Sequence, residues 1–118
     1  MSLARIRMLE KTLVKKYGEI GRVASLYLEA GARVRILHPT RYGPIHILVY
    51  KDGDRYAVEV VKERKELSRE KIETLIKKAE LVKAKPILAI YGDLPMLSED
   101  LYRFCREKGV KIKRVKAQ

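Results

Sequence analysis

The chain opens with a helical pattern. Ile6, Leu9, Leu13, Tyr17, Ile20, Val23, Ala24 and Tyr27 recur at spacings of three and four, the period of a helix with one buried stripe. Gly18 and Gly21 interrupt it, which predicts two helices over roughly 3–16 and 19–30, with Gly31 as the stop. The heptad-like spacing also fits a dimer seam, though a stripe facing the protein's own core is the commoner cause. The pattern then switches to strands. RVRILH (33–38) alternates basic and apolar as an edge strand does, whereas IHILVYK (45–51) is apolar enough to be central and buried. Pro39 to Pro44 reads as a loop and Asp52-Gly53 as a hairpin turn, after which RYAVEVVK (55–62) returns antiparallel. Ser68 caps a helix over about 68–84 with Ile72, Leu75, Ile76, Ala79 and Val82 as its stripe. PILAIY (86–91) is a buried strand. Ser98 opens a helix that Gly109 ends, and VKIKRV closes the sheet. The predicted order is α-α-β-β-β-α-β-α-β, a mixed β-sheet flanked by helices in one α/β domain over 1–118, with 1–17 as an extra N-terminal helix.

Composition narrows what such a domain can do. Twenty-seven Lys and Arg against 15 Asp and Glu leave a net charge of +12 in 118 residues, and nucleic acid is the default partner for that excess. The absence of asparagine and the single glutamine also fit a thermophile's charged coat, but such coats balance Lys against Glu and this one does not. A lone cysteine, Cys105, excludes an internal disulfide, and two histidines without a C-x-x-C pair exclude a zinc knuckle. No apolar run approaches the roughly 20 residues of a membrane span, and the first residues are too charged for a signal peptide. A reducing cytoplasm is the expected compartment, with no membrane partner.

One acidic residue stands inside an apolar strand. In AVEVV, Glu59 shares a strand face with Ala57, Val61 and Glu63, as His46 does with Leu48 and Tyr50. Burying an unpaired carboxylate costs several kcal/mol, so Glu59 needs a metal, a base or water. His46 on the neighbouring strand is the expected partner.

These elements and residues resemble the PD-(D/E)XK superfamily, which has the restriction-endonuclease-like fold, and within it the archaeal Holliday junction resolvases. GPIHILVYKDGDRYAVEVVKE matches the family's Asp-bearing strand, hairpin and Glu-x-Lys strand, with the 13-residue step from His46 to Glu59. LIKKAELVKAKPILAIY and GEIGRVASLYLEAGARV look like its flanking helices and strands, so the resemblance spans about residues 18–92. It implies that acidic side chains bind Mg²⁺, which activates water, while a lysine assists. Carried over residue by residue, Glu59 matches the motif's Glu, His46 stands where Asp is expected, and Val61 stands where Lys is expected. Lys62 is adjacent, but parity turns it to the opposite face unless a bulge intervenes. Glu19 lies one residue from the place of the helix acid.

Two readings follow. A working structure-selective endonuclease needs a rearranged site of Glu19, His46, Glu59 and Lys62, with Mg²⁺ or Mn²⁺ on Glu59 and His46. A degenerate member keeps fold and basic surface and needs no cofactor. The second is favoured because Val61 stands where a proton-handling amine would be required; a lysine ammonium reaching the same pocket would overturn it. RYGPIHILVY also looks like a stretch of archaeal tRNA-splicing endonucleases, which implies Tyr42 with Lys83 or Lys85, or a non-catalytic subunit of such an assembly or of a repair assembly.

For DNA contact the expected residues are Arg33 and Arg35, Arg41 and Tyr42 in the 39–44 loop, and Lys62, Arg64 and Lys65. The C-terminal KIKRVK is a further phosphate candidate. Lys71, Lys77, Lys78 and Lys83 are read as solvating the helix opposite its apolar stripe. The resolvase resemblance and the extra helix together predict a homodimer.

Overall fold

The computed structural model describes residues 2–92 and 97–117. Two helices come first, α1 (Leu3–Tyr17) and α2 (Glu19–Glu29), followed by β1 (Arg33–His38), β2 (Ile45–Lys51) and β3 (Asp54–Val61). A 3₁₀ turn (Arg64–Glu66) leads to α3 (Arg69–Leu81), then β4 (Lys85–Tyr91), α4 (Glu99–Lys108) and β5 (Lys111–Val115). The order is the one the pattern predicts. Serine hydroxyls start three helices, with Ser2, Ser68 and Ser98 accepting from the N–H groups of Arg5, Lys71 and Leu101.

The strands form one sheet in the order β1-β2-β3-β4-β5. The first three are antiparallel and the last three parallel. Asp52 and Gly53 take φ values of 52° and 84°, the left-handed pair that a two-residue hairpin between twisted strands requires. That turn fixes the register Lys51 to Asp54 through Ile47 to Val58, and with it which side chains share a face.

Each face has its own core. Leu48, Ala57, Val61, Leu88 and Ile90 pack with Ile72, Leu75 and Ala79 of α3 and Phe104 and Cys105 of α4. Ile47, Val49, Val58, Val60, Ile87 and Ala89 pack with Val23 and Ala24 of α2. Burial raises the Cys105 thiol pKa above its ordinary value. The helix break falls at Gly18, whereas Gly21 lies within α2. A Cβ at Gly21 would stand 2.1 Å from the Leu13 carbonyl oxygen, so this glycine lets α1 and α2 touch backbone to backbone. Helix α1 packs along α2 and buries none of its own residues fully. No helix among the described residues is long and apolar enough to cross a membrane.

Candidate functional site

The hairpin register places His46 across from Glu59, both on the face covered by α3. His46 Nε2 lies 3.3 Å from Glu59 Oε2. The backbone N–H of Val60 donates to His46 Nδ1 at 2.9 Å. An Nδ1 that accepts carries no hydrogen, so the ring proton sits on Nε2 and points at the carboxylate. The imidazole thus takes the next N–H after the Ile47–Val58 pair. On the other side of β2, Ile36 pairs with Ile47 and His38 with Ile45, which leaves Leu37 facing His46. Leu37 has φ of 54°, a left-handed conformation that costs a non-glycine residue about 1–2 kcal/mol. The strained residue therefore lies at the register position beside His46.

The second oxygen of Glu59 is held by an amine. Lys78 Nζ lies 3.5 Å from Glu59 Oε1 and donates to the Pro44 carbonyl oxygen at 3.0 Å. Glu59 and Lys78 are each 7% exposed. Two expectations fail here. The pocket does contain an ammonium, and Lys78 is not a solvating residue. The amine enters from α3, while Val61, at the strand position where it was sought, is packed in the core. A signal for this was present: Lys78 follows Ile72 and Leu75 at intervals of three, so it stands on the buried stripe that Ala79 continues. A four-carbon stem can lie along apolar neighbours and deliver its charge to the sheet.

The loop over the pocket is tied down. Gly43 N–H donates to the Thr40 carbonyl, Tyr42 N–H to Thr40 Oγ1, and Thr40 Oγ1 to the Gly43 carbonyl. A Cβ at Gly43 would lie 3.7 Å from Lys78 Cε, so this loop covers the lysine's end. Arg41 and Lys77 stand over the Tyr42 ring at 5.2 and 5.7 Å. Beside them opens a cleft of about 480 Å³ with Tyr42, His46, Glu59, Lys65, Lys71 and Lys78 in its wall. The exposed Lys65 pairs with Glu63 at 3.0 Å, and that hydrogen bond raises its pKa.

The other sequence candidates divide by face. Arg33 and Arg35 pair with Tyr50 and Leu48 across β1 and β2, so their exposed side chains share the His46 face. Glu19 and Lys62 meet each other at 3.8 Å, but on the α2 side of the sheet, away from Glu59. The Tyr42, Lys83 and Lys85 set does not assemble. Lys83 ends α3 in a left-handed conformation. Lys85 pairs with Asp54 at 3.5 Å beside the hairpin turn, the end of the sheet opposite the loop that carries Tyr42.

The resemblance implies a divalent metal, and the donor set does not fit one. Mg²⁺ keeps several of its waters but needs one or two carboxylates free to bind it. Here one carboxylate already carries an ammonium on one oxygen and an imidazole N–H on the other, and both imidazole nitrogens are engaged. Among the described residues no group of three or more His, Cys, Asp or Glu side chains is placed to hold a metal.

No protein-family model matches the chain, and no curated protein matches its sequence. Solved structures do match in shape. A protein of unknown function, AF1548, has a TM-score of 0.63 at 17% identity over 78% of this chain and 54% of its own. A repair endonuclease from Pyrococcus abyssi has 0.62 at 14% identity, over 95% and 47%. EndoMS, in a complex with dsDNA, has 0.61 at 15% identity, over 95% and 45%. The chain spans about half the length of these proteins. It shares their α/β fold with a mixed sheet flanked by helices, and at these identities the likeness is one of fold and does not single out the Holliday junction resolvases.

Proposed function

We propose that this chain is a nucleic-acid-binding domain, with DNA as its first ligand, that retains a nuclease fold while its central carboxylate is closed by its own ammonium and does not cut. One observation carries the reading: Lys78 bridges Glu59 Oε1 and the Pro44 carbonyl oxygen. These are the two oxygens a cation in this pocket would use, and the lysine meets them first. Lys78 overturns the sequence-based ground for a non-cutting domain, which required an empty amine position. The absence of cutting now rests on the closed carboxylate alone. Cutting by a site in which Lys78 serves as the assisting lysine is the alternative that the assay decides. Metal-bound water is the attacking group that the resemblance implies, and a carboxylate engaged on both oxygens is a poor ligand for the metal.

Binding draws on charge. Arg33, Arg35, Arg41, Lys65 and Lys71 lie on or beside the face that carries the cleft, and Tyr42 offers an exposed ring at its wall. Phosphate contacts of this kind bring affinity with little sequence preference and release counterions. The same reading includes a homodimer, supported by the exposed Leu3, Met8 and Val14 of α1 and checked by light scattering.

The test is fluorescence anisotropy of four-way junction, duplex and single-stranded DNA across a salt series, with a cleavage assay in Mg²⁺ and in Mn²⁺ alongside. The expected result is binding whose logarithm falls linearly with that of salt, by about 0.9 per phosphate contacted on duplex, and no cut strand. Metal-dependent cleavage that disappears in Glu59→Ala would make the chain an endonuclease. Failure to bind any of the three at low salt would leave a protein-interaction subunit with incidental charge.

A further inference from the structure

The face of the sheet away from Glu59 carries a second, differently built pocket. Helix α2 lies over β1, β2 and β3. Beside it, Tyr27 of α2 and Tyr56 of β3 wall a pocket of about 210 Å³ with Ile87 among its apolar lining residues and Lys51, Lys111 and Lys113 as its charged ones. It also lies at the other end of the strands. Lys51 and Tyr56 flank the hairpin turn, whereas His46 and Glu59 stand at the far ends of β2 and β3.

Its chemistry is specific. The Lys113 ammonium lies 4.7 Å from the Tyr27 ring centroid, and Lys85 stands 5.8 Å from that of Tyr56. Lys85 has Asp54 as its counter-ion. Lys51, Lys111 and Lys113 have no ion-pair partner among the described residues, and no carboxylate lines the pocket. The Tyr27 hydroxyl is buried without a hydrogen-bond partner there, and a native structure leaves few such groups unpaired. Burial, and then the neighbouring Tyr56, raises its pKa above the ordinary value near 10.

Two aromatic walls accept a planar ring, since ring stacking tolerates any base. Unmatched ammonium groups accept an anion. The volume is below the roughly 300 Å³ at which drug-sized sites begin, room for one base, with the sugar and phosphate left at the open mouth beside the exposed Lys111 and Lys113. The geometry points to a second ligand site here, for a nucleoside monophosphate unit, its base against Tyr27 and Tyr56 and its phosphate on Lys111 and Lys113. The unit is either a free nucleotide or the phosphorylated end of a strand. The site uses none of the residues of the Glu59 cleft, so it stands or falls separately from duplex binding there.

The test is isothermal titration of the full chain with AMP, UMP, inorganic phosphate, and short oligo-dT with and without a 5′-phosphate. Near-ultraviolet circular dichroism follows the same titrations, because the chain has seven tyrosines and no tryptophan. One saturable site is expected for AMP or UMP, with a change in the tyrosine signal. The Lys111→Ala/Lys113→Ala variant weakens it about tenfold or more, roughly the loss of one charge-assisted contact. Both lysines are exposed, so that variant keeps the fold. Lys11→Ala/Lys15→Ala, on α1, is the charge-matched control and leaves the affinity unchanged. Tyr27→Phe melts no lower than the parent when free and binds nucleotide more weakly. Tighter binding of 5′-phosphorylated oligo-dT assigns the site to strand ends; tighter AMP or UMP assigns it to free nucleotide. Equal affinity for inorganic phosphate and nucleotide, no saturable site for any probe, or nucleotide binding that survives the double lysine variant would overturn the proposal.

Discussion

Replacing Lys78 by methionine removes a charge while keeping an unbranched stem in the same channel. It strips the cation from Glu59 Oε1 and the donor from the Pro44 carbonyl. Removing one member of a buried ion pair costs about 3–5 kcal/mol, because the other is left uncompensated. His46 still holds Glu59 Oε2, so the low end applies, about 3 kcal/mol on that scale. Domains of this kind have roughly 5–15 kcal/mol in total, so the loss is large but measurable. In guanidinium chloride, with a slope of about 4 kcal/mol per molar, the midpoint falls by a little under about 1 M. Glu59→Gln is destabilising for the converse reason. The double variant Lys78→Met/Glu59→Gln then recovers part of the loss, with a coupling of about 2 kcal/mol, within the range for residues in contact. Equilibrium unfolding of the four proteins closes the cycle. A Lys78→Met protein that unfolds at the parent midpoint, or single effects that simply add, would show that the ammonium is not the counter-ion of Glu59, and the proposed function would lose its ground.

Gly21→Ala drives a methyl group into the Leu13 carbonyl; the expected outcome is separation of α1 from α2 and a clear fall in melting temperature, with the sheet's circular dichroism kept. Cys105 is buried with a raised thiol pKa, so its reaction with iodoacetamide at neutral pH is expected to be far slower than in denaturant, and equal rates would contradict its burial. Tyr27 resists ionisation, so titration at alkaline pH should show a tyrosine deprotonating later than the exposed ones. The sign follows: the neutral phenol is the folded state's preference, so stability is unaffected below about pH 10 and declines as pH rises beyond it.

The hairpin was readable because two short-range rules fix it. A two-residue Asp-Gly turn sets the register, and period two then puts His46 beside Glu59. Lys78 was not readable by the usual rule that helix lysines face water; its place on the stripe of Ile72 and Leu75 was the clue, and composition argued against using it. Glu19 and Lys62 each stand one residue from an expected motif position, yet the sheet divides them from Glu59, and that depends on which face α2 covers. The pocket between Tyr27 and Tyr56 joins residues from every strand except β1, so no local pattern announces it.

The sheet ends at both sides in a cationic border, Arg33 and Arg35 on β1 and Lys111, Lys113 and Arg114 on β5. Bare strand edges invite another strand, and lysine or arginine along them discourages it. Two copies brought together border to border would set like charges against each other, so continuation of the sheet from molecule to molecule is disfavoured. A dimer of this chain has to meet through its helices, and the open borders stay available to a polyanion.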